Sequence, residues 1–209
     1  MSCGEGSTMT LIDHLLYALA WLSFGLLHSF LARPAVKGFL TPVLGSSYRL
    51  AYNAFALVHL LAVGAAGEAL SDALPWAREG WLAILQALLL AAGLGIMLLA
   101  LRAYDLGRFG GWTQWRQRIP PLAEGAEEPL RLSPLHRYLR HPIYFGALLF
   151  LWGLVRDELS LATAAWASLY LVIGSRFEER DLLRRFGPAY AEYRAKVPAL
   201  IPWRGRVRL

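Results

Sequence analysis

Three runs of more than twenty residues, apolar almost throughout, dominate this chain, and no water-facing fold can bury all of them. The first, Leu11 to Ala32, is interrupted by Asp13 and His14 near its start and by His28 and Ser29 near its end; the second is Tyr48 to Leu70 and the third Trp81 to Leu101. At about 1.5 Å per helical residue, each reaches across a hydrocarbon core of about 30 Å. Two shorter runs, Ile143 to Val155 and Leu159 to Gly174, are separated by Arg156, Asp157 and Glu158, which predicts a helical hairpin. Composition agrees: 56% of the 209 residues are hydrophobic and 17% charged, against roughly 45–50% and about 25% in soluble domains. The expected fold is an all-α integral membrane protein with five transmembrane segments. Its expected parts are a three-helix membrane region over 1–101, a cytoplasmic loop over 102–140, and the hairpin with C-terminal helices over 141–209.

The net charge of +6 lies between the apolar runs, which makes it topogenic rather than a nucleic-acid footprint. Five crossings place nineteen of the 21 Lys and Arg residues on one side and leave Arg78 and Arg156 on the other. Cytoplasmic loops retain Lys and Arg, so the N-terminus is expected outside and the C-terminus in the cytoplasm, in a bacterial inner membrane. A cleaved signal peptide needs a basic start, and no Lys or Arg precedes Arg33. The lone cysteine, Cys3, excludes a disulfide framework and a Cys-based metal site, and no metal is expected.

Ionisable groups within spanning segments usually face a bundle interior or a cavity. In the second run Arg49, Tyr52, Ala56 and His59 share a helical face, with Asn53 beside it, and His28 and Ser29 close the first run. These residues form either a polar wall lining a substrate pocket or a set of interhelical and interfacial anchors. Gly93 and Gly95, in an apolar setting with no preceding strand, read as close helix packing and not as a phosphate loop. The loop from Arg102 to Arg140 carries Gly110, Gly111, Pro120, Pro121 and the acidic Glu124, Glu127 and Glu128. Loops of that length serve as lids or binding loops, or are disordered.

The end of that loop is the most informative stretch. In Arg140-His141-Pro142-Ile143-Tyr144-Phe145-Gly146, Pro142 suits the first helical position, making His141 the cap and leaving amide donors that, with Arg140, favour an anionic group such as a carboxylate. A basic membrane-flanking cap would look the same. Arg176-Phe177-Glu178-Glu179-Arg180-Asp181 follows the fifth run. Gly187 then reads as a helix stop and Pro188 as the start of a helix bearing Tyr190, Tyr193, Arg194 and Val197, ahead of Pro198. Such an aromatic and basic tail can also simply lie on a membrane surface.

Arg140-His141-Pro142-x-Tyr144-x-Gly146, Glu178-Glu179 after a hairpin, and Gly187-x-x-Tyr190-x-x-Tyr193-x-x-x-Val197-Pro198 together resemble the integral-membrane methyltransferases of the isoprenylcysteine carboxyl methyltransferase and phospholipid methyltransferase superfamily. The N-terminal half, with His28-Ser29-x-x-Ala32-Arg33-Pro34-x-x-Lys37 and Tyr48-Arg49-x-x-Tyr52-Asn53, is similar to a bacterial branch containing methanethiol S-methyltransferase and membrane proteins associated with denitrification gene clusters. The resemblance implies an S-adenosylmethionine cofactor bound in a cytoplasmic pocket, with no Rossmann domain, and held by Leu130, Arg131, His136, Arg140, His141, Pro142, Ile143, Tyr144 and Glu178. Methylating a thiol calls for a base or a thiolate-stabilising charge, for which His141, Glu179, Arg194 and Tyr190 are the candidate catalytic residues, and His28, Arg49, Tyr52, Asn53, His59, Arg176 and Tyr193 are the candidate acceptor contacts. His136 and Pro134 depart from the tyrosine and glycine common in relatives. Gly174 stands where carboxyl-methylating members carry a substrate-holding arginine. The implied activity is methyl transfer to a small or lipophilic acceptor, a thiol first. An isoprenylcysteine-type carboxylate or a lipid headgroup is the alternative, and a non-catalytic membrane subunit or carrier the third reading.

Overall fold

The computed structural model describes residues 8–119 and 132–207; Leu130, Arg131 and the acidic and proline positions of the central loop lie outside the described residues. All regular structure among the described residues is helical. The main elements are α1 (Leu11–Leu31), α2 (Pro34–Leu44), α3 (Tyr48–Leu70), α4 (Gly80–Leu101), α5 (Leu106–Gly110), α6 (Trp112–Gln117), α7 (Pro142–Gly153) and α8 (Glu158–Lys196). α1, the continuous α2 and α3 stretch, α4 and α8 are long and apolar enough to cross a membrane, which makes four candidate spans. The fourth sequence run becomes α7, 12 residues or about 18 Å long, short of a full crossing.

Among the described residues the helices cluster into two compact units, one of residues 8–74 and 104–119, the other of 75–103 and 132–207. In the first, α1 opens with a capping box: the Asp13 amide donates to Thr10 Oγ1, and Thr10 N–H donates back to Asp13 at 2.8 Å. The outward face of α1 is lined by exposed leucines such as Leu15, Leu19, Leu22 and Leu26, a surface suited to lipid. Its inner face, Tyr17, Trp21 and Phe24, is buried. Tyr48 donates its hydroxyl to the Leu31 carbonyl, tying the start of α3 to the end of α1. Pro34 occupies the first turn of α2, where a missing N–H costs nothing. Two short helices occupy what reads in the sequence as the start of a loop. Asp105 caps α5 through the Arg108 amide, and Gly111, at φ +92°, turns the chain into α6. Only glycine fits there, because a Cβ would stand 2.6 Å from the Leu50 nitrogen.

In the second unit α7 and α8 are joined by a short turn, and Trp152 Nε1 donates to Ser168 Oγ at 3.1 Å. The tighter partner of α7 is α4. A Cβ on Gly146 would meet the Gly93 carbonyl at 2.8 Å, and one on Gly153 would meet the Leu90 nitrogen at 2.8 Å. Gly93 therefore lets two backbones touch, as its setting predicts. Gly95 does not: nothing lies within 4 Å of where its Cβ would be, which corrects the expectation of close packing at that position. Asp157 caps α8, accepting from the Ser160 amide at 2.7 Å. α8 runs past the last apolar turn into its charged half and bends at Gly187 (φ +54°, ψ −128°), with Pro188 opening the final turns. The stop and restart expected at Gly187 and Pro188 thus appear as a kink.

Candidate functional site

The sequence motifs of the second unit converge where α7 begins. His141 is its N-cap, with no side-chain cap bond, and Pro142 is at the first helical position. Two backbone bonds fasten this point to the segment after α8: Arg140 N–H donates to the Pro198 carbonyl at 2.9 Å and His141 N–H to that of Ala199 at 3.1 Å. Over that anchor lies a chain of charged side chains. Arg140 donates to Glu179 Oε1 through Nε at 2.8 Å and Nη2 at 2.6 Å, and its Nη1 serves the carbonyls of Arg194 and Val197. His141 Nε2 lies 3.1 Å from the same Glu179 oxygen, while Nδ1 lies 3.5 Å from Glu178 Oε2. Tyr144, one turn into α7 and stacked on the His141 ring at 5.2 Å, donates its hydroxyl to Glu178 at 2.9 Å.

Burial divides the two glutamates. The Glu179 side chain is 8% exposed and its Oε1 is already shared by Arg140 and His141; that of Glu178 is 46% exposed and can meet a ligand. The Arg140 guanidinium, expected to greet an anion, is occupied by Glu179 and two carbonyls. A buried carboxylate with a forked arginine and an imidazole is well satisfied; stripped of them it would be costly.

The remaining predicted positions of this unit are placed as follows. Tyr190, Tyr193 and Val197 form a buried cluster against Leu182, Leu183 and Phe186, and the Tyr193 hydroxyl donates to the His136 carbonyl at 2.9 Å. The buried Tyr190 hydroxyl has no hydrogen-bond partner among the described residues. Arg194 contributes its carbonyl to Arg140 while its side chain is exposed, and Arg176 is exposed on α8. His136 is buried in the turn Pro134–Arg137, its Nδ1 accepting from the Ser133 amide at 3.1 Å and paired with Ser133 Oγ at 2.7 Å. Burial, and then the neighbouring His141, hold its pKa below the ordinary value of 6.5, against an opposing pull from Glu178. Ser133 was not singled out in the sequence; Ser-Pro followed by a residue able to return the cap bond is the signal that could have found it.

In the first unit the predicted polar residues take two directions. Tyr52 and His28 meet, hydroxyl to Nε2 at 2.6 Å, and His59 Nε2 lies 3.1 Å from Ser23 Oγ. Asn53 turns away to donate to the carbonyls of Phe109 and Gly110, capping the end of α5, and Arg49 lies in the first turn of α3. No group of His, Cys, Asp and Glu able to hold a metal occurs among the described residues.

No protein-family model and no solved structure matches the chain. Curated proteins do. The chain is 29% identical over 195 residues to a methanethiol S-methyltransferase of Pseudomonas deceptionensis, covering 92% of this chain and 72% of that one. It is 34% identical over 122 residues to one from a Pseudomonas species, covering 56% and 45% of the two chains. It is 40% identical over 74 residues to methanethiol S-methyltransferase 1 of Bradyrhizobium diazoefficiens, covering 35% and 26%. The matched stretches thus span less than half the length of the last two relatives, and most of the length of the first. The chain is thus similar to methanethiol S-methyltransferases, across most of the length of one and across part of the other two.

Proposed function

We propose that this protein is an S-adenosylmethionine-dependent membrane methyltransferase whose acceptor is a small thiol. The observation that carries the proposal is the array Arg140, Glu179, His141, Glu178 and Tyr144: Arg140 and His141 converge on the buried Glu179, and the half-exposed Glu178, contacted by His141 and Tyr144, is presented at its end. The donor set suits this cofactor. Glu178, steadied by the Tyr144 hydroxyl, offers an acceptor to an ammonium or to ribose hydroxyls, and the uncapped start of α7 offers amide donors to a carboxylate. When bound, S-adenosylmethionine supplies an electrophilic methyl on a sulfonium.

The chain's own residues orient and accept a proton. Alignment at near-attack distance is the main demand of methyl transfer, and the fastening of residues 140 and 141 to 198 and 199 fixes the start of α7 for that purpose. Methylating a thiol also releases one proton. His141 is suited to hold it, since a carboxylate faces each ring nitrogen. In this account Glu179 and Arg140 are positioning residues: they hold the imidazole and leave Glu178 for the ligand. Tyr190 and Tyr193 support the same region from within the buried cluster.

The membrane arrangement proposed with this activity has five crossings, α7 with its flanking residues making the fourth, the N-terminus outside and the C-terminus cytoplasmic. The nineteen-to-two division of Lys and Arg supports it. Supplying the reconstituted protein with cofactor carrying a labelled methyl tests the function. Label should pass to methanethiol and not to a prenylcysteine carboxylate or a lipid headgroup, the absence of an arginine at Gly174 favouring the thiol. Transfer to either of the other acceptors would move the assignment, and transfer to none would favour a subunit or carrier.

A further inference from the structure

Where α1 stops and α3 starts, the first unit carries a surface of exposed aromatic and basic side chains. Its level is fixed by three contacts. Tyr48 ties the start of α3 to the Leu31 carbonyl, Asn53 donates to the carbonyls of Phe109 and Gly110, and Gly111 closes on the Leu50 backbone. Leu50 and Asn53 lie in the first turns of α3, about 3 and 8 Å from its start. α3 has 23 residues and is about 35 Å long, against a hydrocarbon core of about 30 Å. The corner between α5 and α6 therefore stands where hydrocarbon gives way to headgroups.

Leu106, Phe109, Trp112 and Trp115 at this corner are 44 to 59% exposed. Each short helix carries two of them three residues apart and so turns one apolar edge outward, and the Trp112 and Trp115 rings lean together at 4.9 Å. Basic side chains surround them. At this end the described residues of the unit carry Arg33, Lys37, Arg49, Arg108, Arg116 and Arg118 against Asp105, which is engaged by the Arg108 amide and lies 3.8 Å from the Arg108 guanidinium. The opposite end has Asp13, Glu68 and Asp72, with no Lys or Arg among its described residues. Retaining a loop on one side of a membrane needs only the positive charge; it does not account for tryptophan and phenylalanine left in water.

We propose that the α5 and α6 corner is a docking surface for the headgroups of anionic phospholipids in the bilayer. Its four apolar side chains enter the acyl boundary, the depth that suits amphipathic aromatic rings, while Arg108, Arg116 and Arg118 reach phosphates of the same leaflet. Arg116 follows Trp112 by one turn, which sets a ring and a guanidinium side by side for one lipid. A symmetric pairing of two copies through this face would set its arginines against one another, and a soluble anion would leave the aromatic rings in water.

The test is quenching of tryptophan emission by brominated lipid, with the full-length protein in phosphatidylcholine nanodiscs. A fifth of the lipid is replaced by brominated phosphatidylglycerol or by brominated phosphatidylcholine. The emission of Trp112 and Trp115 is taken by difference from the variant carrying Trp112→Phe and Trp115→Phe. At low salt that emission should be quenched roughly twofold or more strongly by the anionic lipid than by the neutral one. Arg116→Gln with Arg118→Gln should bring the two lipids close to level while quenching by the neutral lipid persists. Inorganic phosphate should change the preference no more than chloride of equal ionic strength. No quenching by either lipid would put the corner in water, and equal quenching by both in the wild type would remove the anionic preference; either overturns the proposal. So does a preference unchanged in the arginine variant, and so does one erased by phosphate but not by chloride, which would make a soluble anion the occupant.

Discussion

Replacing Arg140 with Met removes the partner of a buried carboxylate without removing the carboxylate. Glu179 and Arg140 side chains are 8% and 11% exposed, so solvent cannot take over the lost contacts. Removing one member of a buried pair typically costs about 3–5 kcal/mol, mostly because the other charge is stranded. Two bonds to Glu179 and two to the carbonyls of Arg194 and Val197 disappear together, which argues for the upper part of that range. At roughly 2–4 °C per kcal/mol for a chain of this size, Arg140→Met should lower Tm in detergent by about 10 °C or more. Arg140→Lys should restore only part of it, because a point charge cannot reproduce the fork. The second change Glu179→Leu, made on Arg140→Met, should recover much of the loss by removing the stranded charge. Differential scanning fluorimetry of the four proteins reads this directly. A shift below 2 °C for Arg140→Met, or additive losses in the double variant, would refute the claim that the pair is a buried structural clamp.

Three further outcomes follow from particular contacts. Gly146→Ala should destabilise by about 1–3 kcal/mol, since its Cβ would meet Gly93 backbone at 2.8 Å, whereas Gly95→Ala, in open space, should be neutral or mildly stabilising; thermal melts of the pair decide it. His136 has a folded pKa below 6.5, so the unfolded chain binds more protons as pH falls through that value; its contribution is full above about 6.5 and is lost on acidification, as Nδ1 gains a proton and can no longer accept from the Ser133 amide. The Tm of the wild type should therefore fall more steeply below pH 6.5 than that of His136→Gln, and parallel curves would contradict the assignment. Gly187→Ala should cost about 1–2 kcal/mol despite open space around it, because an L side chain resists φ +54° with ψ −128°; an unchanged melt would show that the kink is not held.

The long helices were legible because an unbroken apolar run has few alternatives: Tyr48 to Leu70 is α3 residue for residue, and Trp81 to Leu101 falls one residue short of α4. α2, α5 and α6 were not, since they span 11 residues or fewer and are held by distant contacts, Asn53 on the end of α5 and Leu50 against Gly111. The site shows the same division. His141, Glu178, Glu179 and Tyr144 stand in recognisable motifs, and the structure gathers them. That Arg140 would spend its donors on Glu179 and two carbonyls 54 and 57 residues away could not be read from its neighbours. Nor could the pairing of His59 with Ser23, which exists only once α1 and α3 are packed.

The central claim is that Glu178, half-exposed beside His141 and Tyr144, binds a cationic methyl donor. Isothermal titration of S-adenosylmethionine into the detergent-purified protein tests it most directly, with Glu178→Ala alongside. The account predicts saturable binding in the wild type and at least a tenfold loss of affinity in the variant, with the fold retained because Glu178 is 46% exposed. Absence of binding in the wild type, or equal affinity in the two proteins, would contradict it.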